Sequence, residues 1–249
     1  MQLKAVIFDL GDTLILTDKW NYDKCLKKLL KSLLHDDVIS STSFEEFKHF
    51  YFEVRRQMYL ESEQSLREVD FRLRVIETVK KFNHNFNQEN SIITRAVEAF
   101  LDAFIEDVRM EDYVPLLLTE LKEKYKLGLV SNFAYAPGLW KMLHRFNLAR
   151  FFDAIVISGE LGVRKPHPLI FEEALRTLGI EAVNAVFVGD SLKADIHGAK
   201  KVGLKTILLE NVGLRKNPYA IPGELDPFPV EPEVKIPNLR SLRKILEVL

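Results

Sequence analysis

The residues AVIFDLGDTL, at Ala5–Leu14, join a short apolar run to an acidic loop that contains one glycine. The run is apolar at every position and contains Val and Ile, which is typical of a strand buried on both faces of a parallel sheet. Asp9 follows Phe8 directly, and Gly11 and Asp12 come shortly after it. The stretch therefore predicts a first buried strand that ends in a carboxylate group.

Four more apolar runs of the same kind follow later in the chain, at Leu127–Val130, Ala154–Ile157, Ala185–Val188 and Thr206–Leu209. Helical patterns lie between and after them, at Val114–Tyr125, Gly138–Phe146, Pro168–Leu178, Asp195–Val202 and Leu239–Leu249. The proline-rich stretch Asn217–Pro232 is expected to be an irregular surface loop. Strands that alternate with helices predict an α/β fold with a doubly wound, mainly parallel sheet and right-handed crossovers.

One long segment, between Thr17 and Val108, interrupts this alternation. It has no strand-like run, and amphipathic patterns predict helices at Cys25–Leu34, Phe44–Tyr59, Ser65–Phe82 and Ser91–Val108. The polar stretch Asn83–Ser91 predicts a connection between two of them. We therefore expect a core domain formed by residues 1–16 and 109–249, and an inserted helical domain formed by residues 17–108.

The composition of the 249 residues is that of a soluble globular protein, with 47% hydrophobic and 29% charged residues. A formal net charge of −1 gives no broad electrostatic case for binding nucleic acid or an anionic membrane. The single cysteine, Cys25, cannot form an internal disulfide, and no apolar run is long enough for a membrane span. The sequence predicts a soluble cytoplasmic protein and leaves its oligomeric state undetermined.

Polar and charged residues follow several of the predicted strands. Asp9, Ser131 and Asp190 each come directly after a strand or near its end, and Lys165 precedes a predicted helix. In open α/β sheets ligands bind beyond the carboxyl ends of the strands, so we expect these side chains to converge. Carboxylates suit a hard cation such as Mg²⁺, and a hydroxyl and an ammonium group suit phosphate oxygens. Together they predict a site for phosphoryl transfer, which mostly requires charge neutralisation and positioning.

Four motifs in this order resemble those of the haloacid dehalogenase (HAD) superfamily. They are FDLGDTL at Phe8–Leu14, LVSNF at Leu129–Phe133, GVRKPHPLIF at Gly162–Phe171 and VFVGDSLKADIHGA at Val186–Ala199. The resemblance covers nearly the whole chain, because the helical insertion lies where this superfamily has its first type of cap domain. It implies a Rossmann-like core and a helical cap that closes over the site and selects the substrate.

The resemblance also implies a nucleophile and a metal site. Asp9 is expected to attack the phosphoryl group and form an aspartyl-phosphate intermediate. Asp9 and Asp190, with the backbone carbonyl of Gly11, are expected to bind Mg²⁺. Asp195 is expected to support the metal, although a carboxylate at the start of a helix is also favoured by the helix dipole.

Three further residues are expected to contact the substrate or to act near it. The resemblance implies that Ser131 donates a hydrogen bond to the transferring phosphoryl group and that Lys165 neutralises the nucleophile and the phosphate. Asn132 either binds phosphate or shapes the turn after its strand.

Gly11 departs from the pattern of the superfamily's phosphatases, in which an aspartate two residues after the nucleophile is the general acid and base. Positioned acid–base catalysis is typically worth about 10²–10⁴-fold, and glycine cannot supply it. The loss is expected to affect alkyl phosphates most, and acyl or aryl phosphates less. Asp12 is a candidate replacement, but its position favours the role of a turn residue. Water or a residue of the cap are other candidates.

The leading hypothesis is a Mg²⁺-dependent phosphohydrolase that acts on a small phosphorylated metabolite. One alternative is a non-enzymatic binding or regulatory protein, and another is a metal-independent hydrolase like the 2-haloacid dehalogenases, which also lack the aspartate. A phosphonatase-like Schiff base would need a lysine of the insertion, but Lys24, Lys27 and Lys28 fit a solvated helix face better. Several arginines of the insertion fit either a second anionic group of the substrate or helix solubility, namely Arg55, Arg56, Arg67, Arg72 and Arg74.

Overall fold

The computed structural model describes residues 2–87, 90–210 and 228–249. Residues 88–89 of the predicted helix connection and residues 217–227 of the predicted proline-rich loop lie outside the described residues. Six strands form one sheet, and every pair of neighbouring strands is parallel. They are β1 (Ala5–Phe8), β2 (Lys126–Ser131), β3 (Ala154–Ile157), β4 (Ala185–Gly189), β5 (Lys205–Leu209) and β6 (Val234–Ile236). The predicted α/β fold is therefore confirmed, and β6 is a strand that the sequence did not predict.

The helices, numbered in chain order, surround this sheet or belong to the insertion. They are α1 (Tyr22–His35), α2 (Phe44–Ser65), α3 (Phe71–Lys80), α4 (Asn90–Asp107), α5 (Val114–Lys122), α6 (Ala136–Arg145), α7 (Ser158–Leu161), α8 (Pro168–Leu178), α9 (Gly198–Lys201) and α10 (Leu242–Leu246). A π-helical segment, Leu192–His197, leads into α9.

Three predicted helices begin later than expected or are irregular. The helix predicted at Leu239–Leu249 is a 3₁₀ turn, Leu239–Ser241, followed by the short α10. The helix predicted from Ser65 starts at Phe71, because the backbone at Leu66 is left-handed, with φ of 54°, and ends α2. The Asp70 carboxylate then accepts a hydrogen bond from the Arg72 N–H and begins α3. The helix predicted at Asp195–Val202 is instead the π-helical segment followed by a single turn of α9.

The order of the strands is β3-β2-β1-β4-β5-β6, which is the doubly wound order. The chain proceeds outward from β1 through β2 and β3, and then returns to the other side of β1 as β4. The direction of winding therefore changes between β1 and β4, the place where such sheets bind their ligands. Phe8 aligns with Leu129 of β2 and Val188 of β4, so the carboxyl ends of these three strands lie side by side.

The core of the sheet is apolar on both faces. All four residues of β1 and all five of β4 are buried. Phe187 of β4 packs edge-on against Phe171 of α8, with ring centres 5.1 Å apart. Burial of these side chains fixes the strands rigidly behind the loops at their carboxyl ends, which is what a site made of several loops requires.

The chain forms two compact units, residues 1–18 with 109–249 and residues 19–108. In the first unit, Leu16 and Arg109 exchange two backbone hydrogen bonds of 2.7 and 3.1 Å. The Arg109 guanidinium also forms an ion pair with Asp18, at 3.0 Å. In the helical unit, Lys24 of α1 pairs with Asp107 of α4 at 2.7 Å. Among the described residues, no helix is both long and apolar enough to cross a bilayer.

Candidate active site

Asp9 is the first residue after β1, and it is 7% exposed. Its backbone N–H donates a hydrogen bond of 2.9 Å to the carbonyl of Val188, which belongs to the last residue pair between β1 and β4. Leu14 and Ile15 then donate backbone hydrogen bonds of 2.9 and 3.0 Å back to the carbonyl of Leu10, which closes a tight loop. Burial raises the pKa of Asp9 to about 6, against the opposing effect of the nearby Lys165 charge.

Lys165 is 2% exposed and lies between two buried carboxylates. Its Nζ atom donates to Asp9 Oδ1 at 2.6 Å, to Asp195 Oδ1 at 2.7 Å and to the carbonyl of Val130 at 3.0 Å. Burial alone would disfavour the ammonium ion, but the charges of Asp195 and Asp9 outweigh it and raise the pKa of Lys165. All three ammonium protons are therefore used, and the side chain remains a cation.

The side chain of Asn132 holds the backbone of Lys165. Its Oδ1 atom accepts a hydrogen bond of 2.8 Å from the Lys165 N–H, and its Nδ2 atom donates one of 3.1 Å to the Lys165 carbonyl. Of the two roles expected for Asn132, phosphate binding or shaping the chain, this geometry favours the second. The amide connects the loop after β2 to the segment that carries the lysine.

Asp195 is fixed in place by the loop after β4. Its Oδ2 atom accepts hydrogen bonds from the backbone N–H groups of Asp190, at 3.1 Å, and Ser191, at 2.9 Å. The space next to Gly189 is filled by this carboxylate, since a Cβ atom there would lie 2.4 Å from Asp195 Oδ2. Glycine is thus required at 189 because the Asp195 carboxylate closely approaches the backbone.

Asp9, Asp190 and Asp195 converge, with one carboxylate oxygen from each lying within 4.8 Å of the others. These three carboxylates carry three negative charges against the one positive charge of Lys165. Oxygen ligands with excess negative charge suit a divalent cation such as Mg²⁺ or Ca²⁺. The donor set therefore fits the metal that the sequence predicted.

Ser131 ends β2 and is 4% exposed. Its backbone pairs with Ile157 of β3. Within the described part of the chain, the Ser131 hydroxyl has no hydrogen-bond partner. The hydroxyl thus lies at the carboxyl edge of the sheet, and no described residue forms a hydrogen bond with it.

Gly11 leaves open space where the superfamily's phosphatases have a carboxylate. A Cβ atom built at this position meets no atom within 4 Å, apart from its chain neighbours, and the backbone is not left-handed. The structure therefore does not require glycine at this position for steric reasons.

Asp12 is engaged in the turn that follows. Its backbone is left-handed, with φ of 52°. Its carboxylate accepts hydrogen bonds from the Thr17 N–H at 2.9 Å and from the Thr17 hydroxyl at 2.9 and 3.0 Å. Asp tolerates this conformation and often bonds to the backbone in turns. The geometry favours the turn role for Asp12 over that of a displaced acid.

The contact between Lys165 and Asp195 is the feature of this site that spacing in the sequence could not predict. Asp195 was expected near a metal, and its hydrogen bond to the lysine depends on the π-helical segment that carries it. A signal was present in the glycine at 189, since glycine before a polar loop often marks a close approach of another group.

The chain is thus an α/β protein with a doubly wound, Rossmann-like parallel sheet and a carboxylate–lysine cluster at the carboxyl edge of that sheet. The chain matches the haloacid dehalogenase-like hydrolase family over residues 6–209, and it belongs to this family. It is 32% identical to the glyceraldehyde 3-phosphate phosphatase of Methanopyrus kandleri over 206 residues, which are 82% of this chain and 83% of that protein.

Two solved structures show the same fold. One is the 2-haloacid dehalogenase of Pseudomonas syringae pv. tomato DC3000, with a TM-score of 0.68, 23% identity and 99% of each chain covered. The other is the HAD-hydrolase YfnB of Bacillus subtilis bound to magnesium, with a TM-score of 0.63, 22% identity and 99% of each chain covered.

Proposed function

We propose that this protein is a Mg²⁺-dependent phosphohydrolase that acts on a small phosphorylated metabolite through Asp9. The observation that carries the proposal is the buried contact of Asp9 with Lys165, beside the carboxylates of Asp190 and Asp195. A nucleophilic carboxylate must be ionised and oriented, and Lys165 favours both conditions. The phosphatase activity of the Methanopyrus kandleri relative supports the choice of substrate class.

In the proposed reaction, an oxygen of Asp9 attacks phosphorus while the bond to the leaving oxygen breaks. The product is an acyl phosphate on Asp9, which water then hydrolyses to free the carboxylate and inorganic phosphate. Ser131 donates a hydrogen bond to the phosphoryl group, and Lys165 offsets the negative charge of Asp9. Bound Mg²⁺, held by Asp9, Asp190 and the Gly11 carbonyl with support from Asp195, would neutralise charge on the phosphoryl oxygens.

When its bond to phosphorus breaks, the leaving group must either receive a proton or be stable as an anion. Gly11 has no proton to give, and Asp12 is bound to Thr17. We therefore propose that water supplies the proton and that activated phosphates react fastest. The helical unit, residues 19–108, is proposed to act as the cap that selects the substrate, and a cytoplasmic location stays a prediction.

Hydrolysis of p-nitrophenyl phosphate and acetyl phosphate tests this function, with Mg²⁺ and with a chelator, for the wild type and Asp9→Asn. We expect turnover that requires Mg²⁺ and is lost in Asp9→Asn, which keeps the size of the side chain but not its nucleophilicity. Glyceraldehyde 3-phosphate is the first metabolite to assay, because of the relative's activity. Absence of Mg²⁺-dependent turnover with every activated phosphate would contradict the proposal and favour a non-enzymatic role.

A dehalogenase-like reaction is the second candidate. The fold matches that of a 2-haloacid dehalogenase, and Gly11 stands at the position where the superfamily's phosphatases have their general acid. The same enzyme preparation should be assayed for chloride release from 2-chloropropionate in chelator. We expect none, because the three converging carboxylates would repel the carboxylate of a haloacid when no cation is bound.

A further inference from the structure

A cavity of about 270 Å³ lies at the carboxyl edge of the sheet, beside β5 and β6. Leu209, the last residue of β5, and Pro237, which follows β6, belong to its walls. In the sheet, β4 lies between β1 and β5, and the side chains of the carboxylate–lysine cluster do not line this cavity. The described residues that line it all belong to the unit formed by residues 1–18 and 109–249. The cavity is therefore a second candidate site, distinct from the one around Asp9.

One wall of the cavity carries a positive charge that is stacked on an aromatic ring. The guanidinium carbon of Arg240 lies 3.9 Å from the ring centre of Tyr113, and both residues line the cavity. Arg240 is exposed, and its guanidinium forms no hydrogen bond or ion pair with any residue that the structure describes. Stacking orients the plane of the guanidinium and leaves the N–H groups at its edge available. Arg240 is therefore a preorganised donor for an anion.

The charges around the cavity favour a ligand with a single negative charge. Among the described residues that line it, Arg240 is the cation and Glu111 is the carboxylate. Glu111 accepts a hydrogen bond of 2.5 Å from Arg109, but Arg109 also pairs with Asp18 at 3.0 Å, so the charge of Glu111 is only partly neutralised. A doubly charged phosphate would meet more repulsion from Glu111 than a carboxylate would. A carboxylate, which matches the guanidinium fork, is therefore favoured.

The other walls are mostly apolar and include one buried hydroxyl. Leu14, Val114 and Leu209 contribute apolar side chains. Thr13 also lines the cavity, is 3% exposed, and its Oγ1 atom has no hydrogen-bond partner in the described part of the chain. Buried polar atoms in proteins are nearly always satisfied, by water where no protein group reaches them. An oxygen that enters the cavity, from water or from a ligand, is a partner that this hydroxyl can gain.

We propose that this cavity binds a small organic acid that has one carboxylate and an apolar body. Arg240 binds the carboxylate, the leucine and valine side chains cover the apolar body, and the Thr13 hydroxyl bonds to a polar atom of the ligand or to a water bound with it. At about 30 Å³ for each group of water size, the volume holds about nine such groups, which corresponds to a small metabolite. The site does not depend on the proposed phosphatase function, and neither Asp9 nor Lys165 takes part in it.

A fluorine NMR titration with 4-fluorobenzoate tests the site, because this probe carries one carboxylate on a small apolar ring. The titration is made in chelator, where no cation attracts the probe to the carboxylates around Asp9. We expect a saturable change of the probe signal, and Arg240→Gln should weaken the affinity about tenfold or more. The neutral analogue 4-fluorobenzamide should also bind the wild type at least about tenfold more weakly.

Arg243→Gln is the matched control, because it removes the same charge three residues further along the chain. The Arg243 Nη1 atom already donates to Glu120 at 3.0 Å, and Arg243 does not line the cavity. Its replacement should leave the affinity for 4-fluorobenzoate unchanged. Equal affinities of the wild type and Arg240→Gln, or an equal loss in both variants, would overturn the proposal. Absence of saturable binding of both 4-fluorobenzoate and 5,5,5-trifluoropentanoate would do the same.

Hydrogen exchange then locates the bound probe in the protein. The backbone N–H groups of Leu14 and Ile15 donate to the carbonyl of Leu10, and Leu14 lines the cavity. Bound 4-fluorobenzoate should slow the exchange of these two amides, and Arg240→Gln should abolish the effect. The Ser131→Ala variant, changed at the proposed phosphate site, should show the same protection as the wild type. Protection that is absent from residues 10–16, or that requires Ser131, would locate the probe elsewhere and contradict the proposal.

Urea unfolding tests the role of the Thr13 hydroxyl. Thr13→Val removes the hydroxyl and keeps nearly the same shape. Because the hydroxyl has no partner among the described residues, the unfolding midpoint of the variant without probe should be at least that of the wild type. A clearly lower midpoint would show that the protein itself satisfies the hydroxyl, and its assignment to the ligand would fail. None of these measurements needs turnover, so they decide this site whatever the outcome of the phosphatase assays.

Discussion

Restoring a carboxylate at position 11 is the sharpest test of how this site works. Gly11→Asp places a side chain in open space, since a Cβ atom there meets nothing within 4 Å and the backbone is not left-handed. We therefore expect the variant to fold with its new carboxylate in this open space. If the missing group is the general acid, its return supplies the acid–base contribution that the wild type lacks.

The expected gain follows from the worth of positioned acid–base catalysis, about 10²–10⁴-fold, or roughly 3–5 kcal/mol of activation free energy. It should be seen in kcat/KM for an alkyl phosphate, such as glycerol phosphate, because an alkoxide leaves poorly without a proton. For p-nitrophenyl phosphate the gain should be much smaller, because the leaving phenolate is already stable.

One opposing effect must be separated from this gain. Asp at position 11 adds a fourth carboxylate to Asp9, Asp190 and Asp195, and this negative charge should weaken the binding of an anionic substrate. Gly11→Asn has nearly the same shape and no ionisable group, so it measures the effect of filling the space. An increase equal in Gly11→Asn and Gly11→Asp, or no increase in either, would refute the view that Gly11 marks a missing acid.

Three more predictions test other parts of the site. Asp12→Asn should keep activity and its pH profile, because an amide oxygen still accepts from the Thr17 N–H; loss of activity about 10²-fold or more would instead identify Asp12 as the acid. Lys165→Met should abolish turnover and lower the free energy of unfolding by about 3–5 kcal/mol, measured with urea, because two buried carboxylates lose their counter-ion. In chelator, Asp9→Asn should exceed the wild type in stability by about 3 kcal/mol near pH 7 and show no advantage near pH 4. The raised pKa of Asp9 means that the folded state binds the proton more tightly than the unfolded state, so the wild type loses stability as pH rises through about 6. The same difference in stability between the variant and the wild type at both pH values would contradict this prediction.

The sequence predicted the sheet well because each of its central strands is a continuous apolar run. β1 and β3 have the predicted bounds, and β2, β4 and β5 differ by one residue at one or both ends. β6 was not predicted, because three residues with an exposed lysine at the centre carry too little pattern. The convergence of Asp9 and Asp190 followed from the rule that the carboxyl ends of neighbouring strands meet at one edge of the sheet.

The hydrogen bonds made by the side chains of the site could not be predicted from the sequence in the same way. The hydrogen bonds of Asn132 to the backbone of Lys165 join residues far apart in the chain, and either of two roles fitted its position. Partner choice depends on side-chain directions, which residue spacing alone does not determine.

The conformation of the loop does not require glycine at position 11. Position 12 is left-handed, where glycine is easiest to accommodate, yet it holds an aspartate whose carboxylate secures the turn through Thr17. Position 11 is not left-handed and has room for a side chain, yet it holds glycine. If steric demands alone determined the residues of this loop, glycine would be expected at position 12 and a residue with a side chain at position 11. Under the proposed function, this arrangement is expected of an enzyme whose leaving group needs no proton from the protein, and acyl and other activated phosphates are the substrates to test first.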